Sequence, residues 1–430
     1  MKKRALSDWL DWQEKLHLSE IDLGLERIGK VAGTLDILSL PFPVITVAGT
    51  NGKGSSIAML ESILRAQGYQ TGAYTSPHLV RYNERIAINN QSASDAQICA
   101  AFETIDQARR KTLDDDGKAI SLTYFEFGTL AAILCFIEQN VDVALLEVGL
   151  GGRLDAANLW DASVAIITGI AIDHESWLGN DRETIGREKA GIMRKNQPVM
   201  CGDLKPPHSI SDEATRIGAR LYQLNQDFFY EKNPQGWRWK GWDKQNMQLP
   251  LPALKGEFQL NNAATVVAAL HLFSEKMPVS QQAYEQGLRQ VSVPGRMQVL
   301  QNSPQWLVDV AHNPQSAEQL ATYLKNNPVK GATHAIFSML ADKDIEQVIA
   351  IMQPFIDRWH IFALPGKRAQ TLEELSGQLQ HSANTALIFP HSDFMDICGH
   401  LKKSVKSEDR VVAFGSFLVV SAVLETCQAN

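Results

Sequence analysis

Residues 43–64, PVITVAGTNGKGSSIAMLESIL, restrict the possible folds more than any other stretch. Val44 to Ala48 read as a strand buried on both faces, a glycine-rich loop follows, and apolar residues then recur with helical spacing over 56–67. Glycines in such a turn let successive N–H groups face a phosphate, and the helix N-terminus adds a favourable partial charge. Lys53 is placed to reach β- and γ-phosphates, and a hydroxyl from Ser55 or Ser56 can meet a magnesium ion. Thr50, Asn51, Gly52, Lys53, Gly54 and Ser55 are therefore candidate contacts for a nucleoside triphosphate. The run departs from the common GxxxxGK[ST] spacing: Val47 stands at the first glycine position, and Gly54 separates the lysine from Ser55.

Further strand-like runs occur at 143–148, 164–168, 306–310, 334–338, 360–364 and 411–414, with helical periodicity in segments such as 124–139. That alternation predicts an α/β protein with mostly parallel sheets. A chain of 430 residues is long enough for two domains. Pro294 and Gly295 punctuate VSVPGRMQ, and a fresh strand–helix series is expected from Trp306. We place a larger domain at 1–295 and a smaller one, of about five or six strands, at 296–430. The Trp-, Asn- and Lys-rich stretch at 228–252 reads as a β-rich insertion.

The formal net charge of −7 comes without any long basic run, which argues against a nucleic-acid partner. Asp8, Asp11 and Glu14 break the apolar core that a signal peptide would need, and no stretch approaches a membrane span. Five scattered cysteines without CxxC spacing argue against a disulfide framework or a zinc site and fit a reducing cytoplasm.

The loop G-T-N-G-K-G-S resembles the nucleotide loop of the Mur ligase superfamily, in particular its folylpolyglutamate synthase branch. Collinear blocks extend the resemblance: IDLGLERI at 21–28, TSPHLVRYNERI at 75–86, LTYFEFGTLAA at 122–132 and LEVGLGGRLDAAN at 146–158. IDHESWLG at 172–179, IGREKAGI at 185–192, PGRMQ at 294–298, DVAHNP at 309–314 and GSF at 415–417 complete it. The blocks run from about residue 20 to 417 and match most closely the bifunctional dihydrofolate synthase/folylpolyglutamate synthase pattern. The resemblance implies a P-loop-type ATPase domain, a Rossmann-like C-terminal domain, and reaction in the cleft between them. The implied reaction is ATP-dependent ligation of L-glutamate to dihydropteroate and to reduced folates through an acyl phosphate, in a monomeric enzyme.

Several residues carry a chemical reading beside the implied one. Glu147 ends the apolar run DVALLE, where a carboxylate needs a cation or donors at the sheet's carboxyl edge. The resemblance makes Glu147, His174 and Ser76 ligands of magnesium, with two ions in all. Lys189 matches a lysine carbamylated in the superfamily, which requires an unprotonated amine and hence a lowered pKa. Lys53, Lys189 and His174 are the implied catalytic groups. Asn262, Arg296 and Asp309 match ATP-contacting positions; for Asn262, capping a helix ahead of AATVVAAL is nearly as attractive a reading, and the two roles can coexist. The acid substrate is assigned Asp22, Leu23, Gly24, Thr123, Leu154, Asp155 and Ala156, the two aspartates meeting pterin ring donors. Tyr124 and Phe125 read as packing residues more than stacking ones. Lys343, in SMLADKD, is either a partner for the incoming glutamate or part of a solvated loop, and His312 is given no task. A cell-wall ligase, a chain-extending synthase alone and a nucleotide-driven switch are the competing readings. The folate-type blocks argue against the first, and the switch leaves Glu147, His174 and Lys189 without a role.

Overall fold

The computed structural model describes residues 4–428 except 18, 20, 367 and 383–386, and no side chains at 382, 427 and 428. The chain divides into two compact units: one runs to Ala253 and resumes over Gln259–Val291, and the other takes Leu254–Phe258 and the chain from Ser292.

In the first unit eight strands form one sheet: β1 (Val44–Ala48), β2 (Thr71–Tyr74), β3 (Ile86–Ile88), β4 (Gln91–Ser92), β5 (Val143–Glu147), β6 (Val164–Ile167), β7 (Pro198–Cys201) and β8 (Arg220–Gln223). Their order is β4-β3-β2-β5-β1-β6-β7-β8. From β2 to β8 every neighbouring pair is parallel, and β3 and β4 add an antiparallel edge. Every residue of β1, β5 and β6 is buried, as expected of parallel strands covered on both faces. Helix Tyr124–Glu138 supplies part of that cover: Phe127, Leu130 and Phe136 pack in one core with Ala144 and Leu146 of β5. The chain leaves β1 toward β2 and β5 on one side and later adds β6 on the other. The loops after β1, β5 and β6 thus emerge at a topological switch point, where open α/β sheets place ligands.

The 228–252 stretch forms a separate antiparallel sheet of β9 (Phe229–Asn233), β10 (Gly236–Lys240) and β11 (Asn246–Leu249). Alternation in GWRWK puts Trp237 and Trp239 on its buried face, and Trp239 Nε1 donates to Ala264 O at 3.1 Å.

The second unit holds β12 (Gln298–Asn302), β13 (Gln305–Val308), β14 (Thr333–Phe337), β15 (Arg358–Ile361), β16 (Leu387–Pro390) and β17 (Arg410–Phe414). The order is β12-β13-β17-β14-β15-β16, parallel except for the β12–β13 hairpin. Six strands agree with the sequence reading, but the expected first strand is corrected. β12 precedes it, and Asp309 follows the second strand of the unit. QVLQN escaped notice because it is a half-exposed edge strand with only two apolar residues.

A buried imidazole chain crosses this sheet. His334 Nδ1 lies 3.1 Å from His360 Nε2, His360 Nδ1 lies 3.1 Å from His391 Nε2, and His391 Nδ1 lies 3.1 Å from Asp396 Oδ2. Each ring can donate from one nitrogen and accept on the other only while neutral. Burial, reinforced by the neighbouring imidazoles and Arg358, pushes His360 down to about 3. Below an ordinary histidine pKa of about 6.5 the unfolded chain binds a proton that the folded chain refuses, so stability falls as pH drops through that window. Urea midpoints measured between pH 7 and 5 are expected to fall less steeply in His360→Phe, by up to about one proton's worth of slope.

Among the described residues no helix is long and apolar enough to cross a membrane. Cys99, Cys135, Cys201 and Cys398 form no disulfide there, and the side chain of Cys427 lies outside the described set.

Candidate active site

The loop after β1 is fastened to the end of β6. Thr50 N–H donates to Gly169 O at 2.8 Å, Thr50 Oγ1 donates to Ala171 O at 3.0 Å, and Thr168 Oγ1 donates to Asn51 O at 2.8 Å. Helix Lys53–Gln67 begins next, and Ser56 N–H makes its bond to Gly52 O at 2.9 Å. The N–H groups of the turn before Ser56 have no partner within the helix and point out of its end, as anion binding requires. Gly52 sits at φ +95°, and a Cβ there would lie 2.7 Å from Asn262 Oδ1. The position therefore needs glycine both for its backbone angle and for the close approach of Asn262.

Asn262 lies inside helix Phe258–Phe273, which starts five residues earlier than a cap at 262 would allow. The capping alternative is thereby corrected: the side chain faces the loop instead. Asn262 Nδ2 donates to Gln259 Oε1 at 3.0 Å, and Gln259 Nε2 donates to Ser55 Oγ at 3.2 Å. Sequence reading missed Gln259, although its spacing of three from Asn262 puts both on one helix face. Of the two candidate hydroxyls, Ser55 is the one joined to this network. Ser56 is fully buried, and among the described residues its Oγ has no hydrogen-bond partner.

Glu147 ends β5 in register with Val47 of β1. It is 5% exposed, accepts a hydrogen bond from Ser76 N–H at 3.2 Å, and its Oε2 lies 3.8 Å from where a Cβ on Gly54 would be. Glu147, Ser76 and the head of the phosphate-loop helix are therefore neighbours. Among the described residues no group of three or more His, Cys, Asp or Glu could hold a metal alone. A single carboxylate and a hydroxyl beside a phosphate-binding turn nevertheless fit magnesium, a hard cation that usually takes its other oxygens from water and nucleotide phosphates. His174 lies in the loop beyond β6, in the left-handed conformation (φ 53°, ψ 43°) at the start of the short helix Glu175–Leu178.

Lys189 lies in the last turn of helix Arg182–Ala190 and is only 3% exposed. Burial, and then the charge of Lys53, push its amine down to about 7, against the pull of Asp173 and Asp155. Two lysines and two aspartates thus act on one another at this edge of the sheet. Asp155 is pushed up to about 6 by burial, opposed by three backbone donors and Lys53. It accepts from Gly149 N (3.0 Å), Leu150 N (2.8 Å) and Ala157 N (2.9 Å), so both its oxygens shape the loop between β5 and β6.

The remaining acid-substrate candidates surround that loop. Gly24 N–H donates to Leu154 O at 3.1 Å, joining 22–24 to 154–156. Thr123 caps helix Tyr124–Glu138 in a reciprocal box with Glu126. Tyr124 and Phe125 pack against the core, and the Arg85 guanidinium lies 5.5 Å from the Tyr124 ring centre.

Arg296 and Asp309 belong to the second unit. Asp309 accepts from Met297 N (2.7 Å) and Ala311 N (2.8 Å), and burial pushes it upward while Arg296 opposes the shift. The Arg296 guanidinium lies over the Phe417 ring at 5.8 Å, and the His312 ring is also 5.8 Å from it. Phe417 is thus a further member of this group, present in the GSF block but given no role from sequence. Lys343 sits half-buried in the loop after β14, between Asp342, which pairs with Arg368, and helix Ile345–Met352.

Comparison with known proteins is consistent along the chain. Residues 295–417 match the family model described as Mur ligase, glutamate ligase domain. An Escherichia coli (strain K12) dihydrofolate synthase/folylpolyglutamate synthase is 42% identical over 99% of this chain and 96% of its own length. The solved E. coli FolC in complex with DHPP and ADP superposes with a TM-score of 0.91 at 41% identity, covering 99% of this chain and 98% of the other. A bifunctional folylpolyglutamate synthase/dihydrofolate synthase solved with Mn, AMPPNP and L-glutamate gives a TM-score of 0.88 at 41% identity, with the same coverage.

Proposed function

We infer that this chain, which belongs to the dihydrofolate synthase/folylpolyglutamate synthase family of Mur ligases, is an ATP-dependent ligase joining L-glutamate to dihydropteroate and to reduced folates. The observation that carries this reading in the structure is the buried Lys189, its amine lowered in part by the charge of half-buried Lys53, which opens the phosphate-loop helix beside Glu147. A carboxylate is a poor acyl electrophile because oxide is a poor leaving group. Transfer of the γ-phosphoryl of ATP to the acid's carboxylate oxygen releases ADP and creates an acyl phosphate. The glutamate amine attacks its carbonyl carbon, and phosphate departs. Most of the work is positioning and charge neutralisation.

We assign Thr50, Asn51, Gly52, Lys53, Gly54 and Ser55, with Asn262, to the phosphate side of ATP, and Arg296 and Asp309 to the rest of the nucleotide. Lys53 neutralises charge on the transferring phosphoryl group. Two magnesium ions, one held by Ser76 and Glu147 and one by His174 with Lys189 in support, would supply further positive charge there. The neutral fraction of Lys189 at pH 7 makes its carbamylation chemically accessible, since only the free amine attacks carbon dioxide. Asp22, Leu23, Gly24, Thr123, Leu154, Asp155 and Ala156 line the acid substrate in this reading. Asp155 contributes through the loop it shapes, and Asp22 is the more exposed carboxylate. Residues 1–295 bind ATP and the acid, and 296–430 form the glutamate-ligase part. The enzyme is assigned to the cytoplasm, as a monomer.

Phosphate release from ATP, with magnesium and glutamate present, tests the reading when dihydropteroate and tetrahydrofolate are compared. Release with both acids, and glutamylated products by mass, is expected. Release with tetrahydrofolate alone would leave only the chain-extending activity, and release with neither would refute the substrate assignment. Gly52→Ala is expected to weaken nucleotide binding at least about tenfold, since the new methyl displaces Asn262 and strains the loop. Calorimetric titration with ADP checks this.

A further inference from the structure

A hydrogen-bond network centred on Arg27 ties together the segments assigned to the acid substrate. Arg27 Nη1 donates to Asp22 Oδ2 at 2.6 Å, while Nη2 donates to Asp22 O at 2.8 Å and to Glu126 Oε1 at 3.3 Å. Glu126, 3% exposed, in turn accepts from Thr123 N at 2.8 Å through Oε2. His17 Nε2 donates to the same Asp22 Oδ2 at 3.0 Å, and its Nδ1 lies 2.8 Å from Ser121 Oγ.

We propose that Arg27, assisted by His17, is a positioning residue for the acid substrate, holding Asp22 by one carboxylate oxygen and locking 22–24 to Thr123. The proposal rests on the assignment of Asp22 and Thr123 to the acid-binding face made above. Two features single the network out from an ordinary surface ion pair. Arg27 grips both the side chain and the carbonyl of Asp22, which fixes the residue's backbone as well as its rotamer. Both donors to the carboxylate converge on Oδ2, and Oδ1 has no hydrogen bond among the described residues. Oδ1 is therefore the oxygen presented outward, and Asp22 is 40% exposed. An anionic acceptor held this way suits ring N–H donors such as those of a 2-amino-4-oxopteridine. Glu126 extends the hold to Thr123, so a shift of Asp22 and a shift of the helix cap are coupled through one guanidinium.

A group that only orients a substrate-binding residue changes KM for that substrate and leaves turnover at saturation alone. Arg27→Met is expected to raise KM for dihydropteroate about tenfold or more, with KM for ATP and kcat at saturating acid changed less than about threefold. Arg27→Lys should recover part of the loss, since an ammonium restores one contact but not the fork. Asp22→Ala is measured alongside, and the double variant should cost less than the sum of the two. An unchanged dihydropteroate KM in folded Arg27→Met, or a parallel rise in the ATP KM, overturns the proposal. Should Arg27→Met not fold, His17→Gln is read the same way: a rise of about threefold in the dihydropteroate KM supports the proposal, and an unchanged value overturns it. Asp22→Ala separates the two levels of inference. If it raises the KM and Arg27→Met does not, positioning alone fails; if neither does, the acid-binding assignment of Asp22 fails with it.

Discussion

Lys53→Ala is expected to lower ligation by about a thousandfold or more while leaving the protein folded. In the structure Lys53 Nζ donates to Gly49 O at 3.1 Å and Thr50 O at 3.3 Å, so the side chain curls over its own loop. Those bonds are local and add little to stability. The loop is held independently, by Gly169, Ala171 and Thr168. Loss of the ammonium should therefore spare the melting temperature and remove charge where the phosphoryl group transfers. It should also change a neighbour: Lys53 is the second cause of the lowered Lys189 pKa, so the variant's Lys189 is expected to titrate higher. Steady-state phosphate release, with a thermal melt on the same preparation, decides the matter. A folded Lys53→Ala enzyme within tenfold of wild-type turnover would remove Lys53 from the proposed mechanism.

How much of this was legible in the sequence depended on where each signal was stored. The strands β1, β5, β6 and β17 were readable because burial on both faces demands an unbroken apolar run. The phosphate loop was readable because its glycines and lysine are contiguous. β12 was not, since an edge strand can carry QVLQN without exposing an error. Gln259, Phe417 and Arg27 escaped for a different reason. Each acts through a partner distant in sequence, Ser55, Arg296 or Glu126, and nothing in a glutamine or arginine states which loop it will meet. The role of Asp155 shows the same limit from the other side. The resemblance gave that carboxylate a place against the pterin, but nothing nearby in sequence shows that its two oxygens also accept from three backbone N–H groups. The imidazole chain from His334 to Asp396 likewise left no local trace, because its members come from two strands, the residue after a third and a helix.

Lys189→Met should do two opposite things at once: stabilise the ligand-free protein at neutral pH and disable ligation. In the folded state burial and Lys53 push Lys189 down to about 7, from an ordinary lysine value of about 10.5. Between those values the unfolded chain carries a proton that the folded chain does not, so stability rises with pH across the window. The penalty is absent above about 10.5, grows by about 1.4 kcal/mol per unit as pH falls, and levels off below 7. Near pH 7 it amounts to roughly 4 kcal/mol. Methionine has a similar length and no charge to desolvate, and Asp155 keeps its three backbone donors when the ammonium goes. Urea midpoints in carbon-dioxide-free buffer are therefore expected to favour the variant at pH 7, with the gap narrowing by pH 9.5. Carbon dioxide must be excluded, because carbamate formed only in the folded state would stabilise wild type by linkage. Activity should fall by about a hundredfold or more in the variant, since neither an ammonium nor a carbamate remains to act on the phosphoryl group. A protein keeps a buried lysine at such a cost to stability when function requires the amine to lose its proton. If Lys189→Met were no more stable than wild type at pH 7, the lowered pKa would be wrong. If it were more stable and still active, the lysine would be buried for a reason unconnected with ligation.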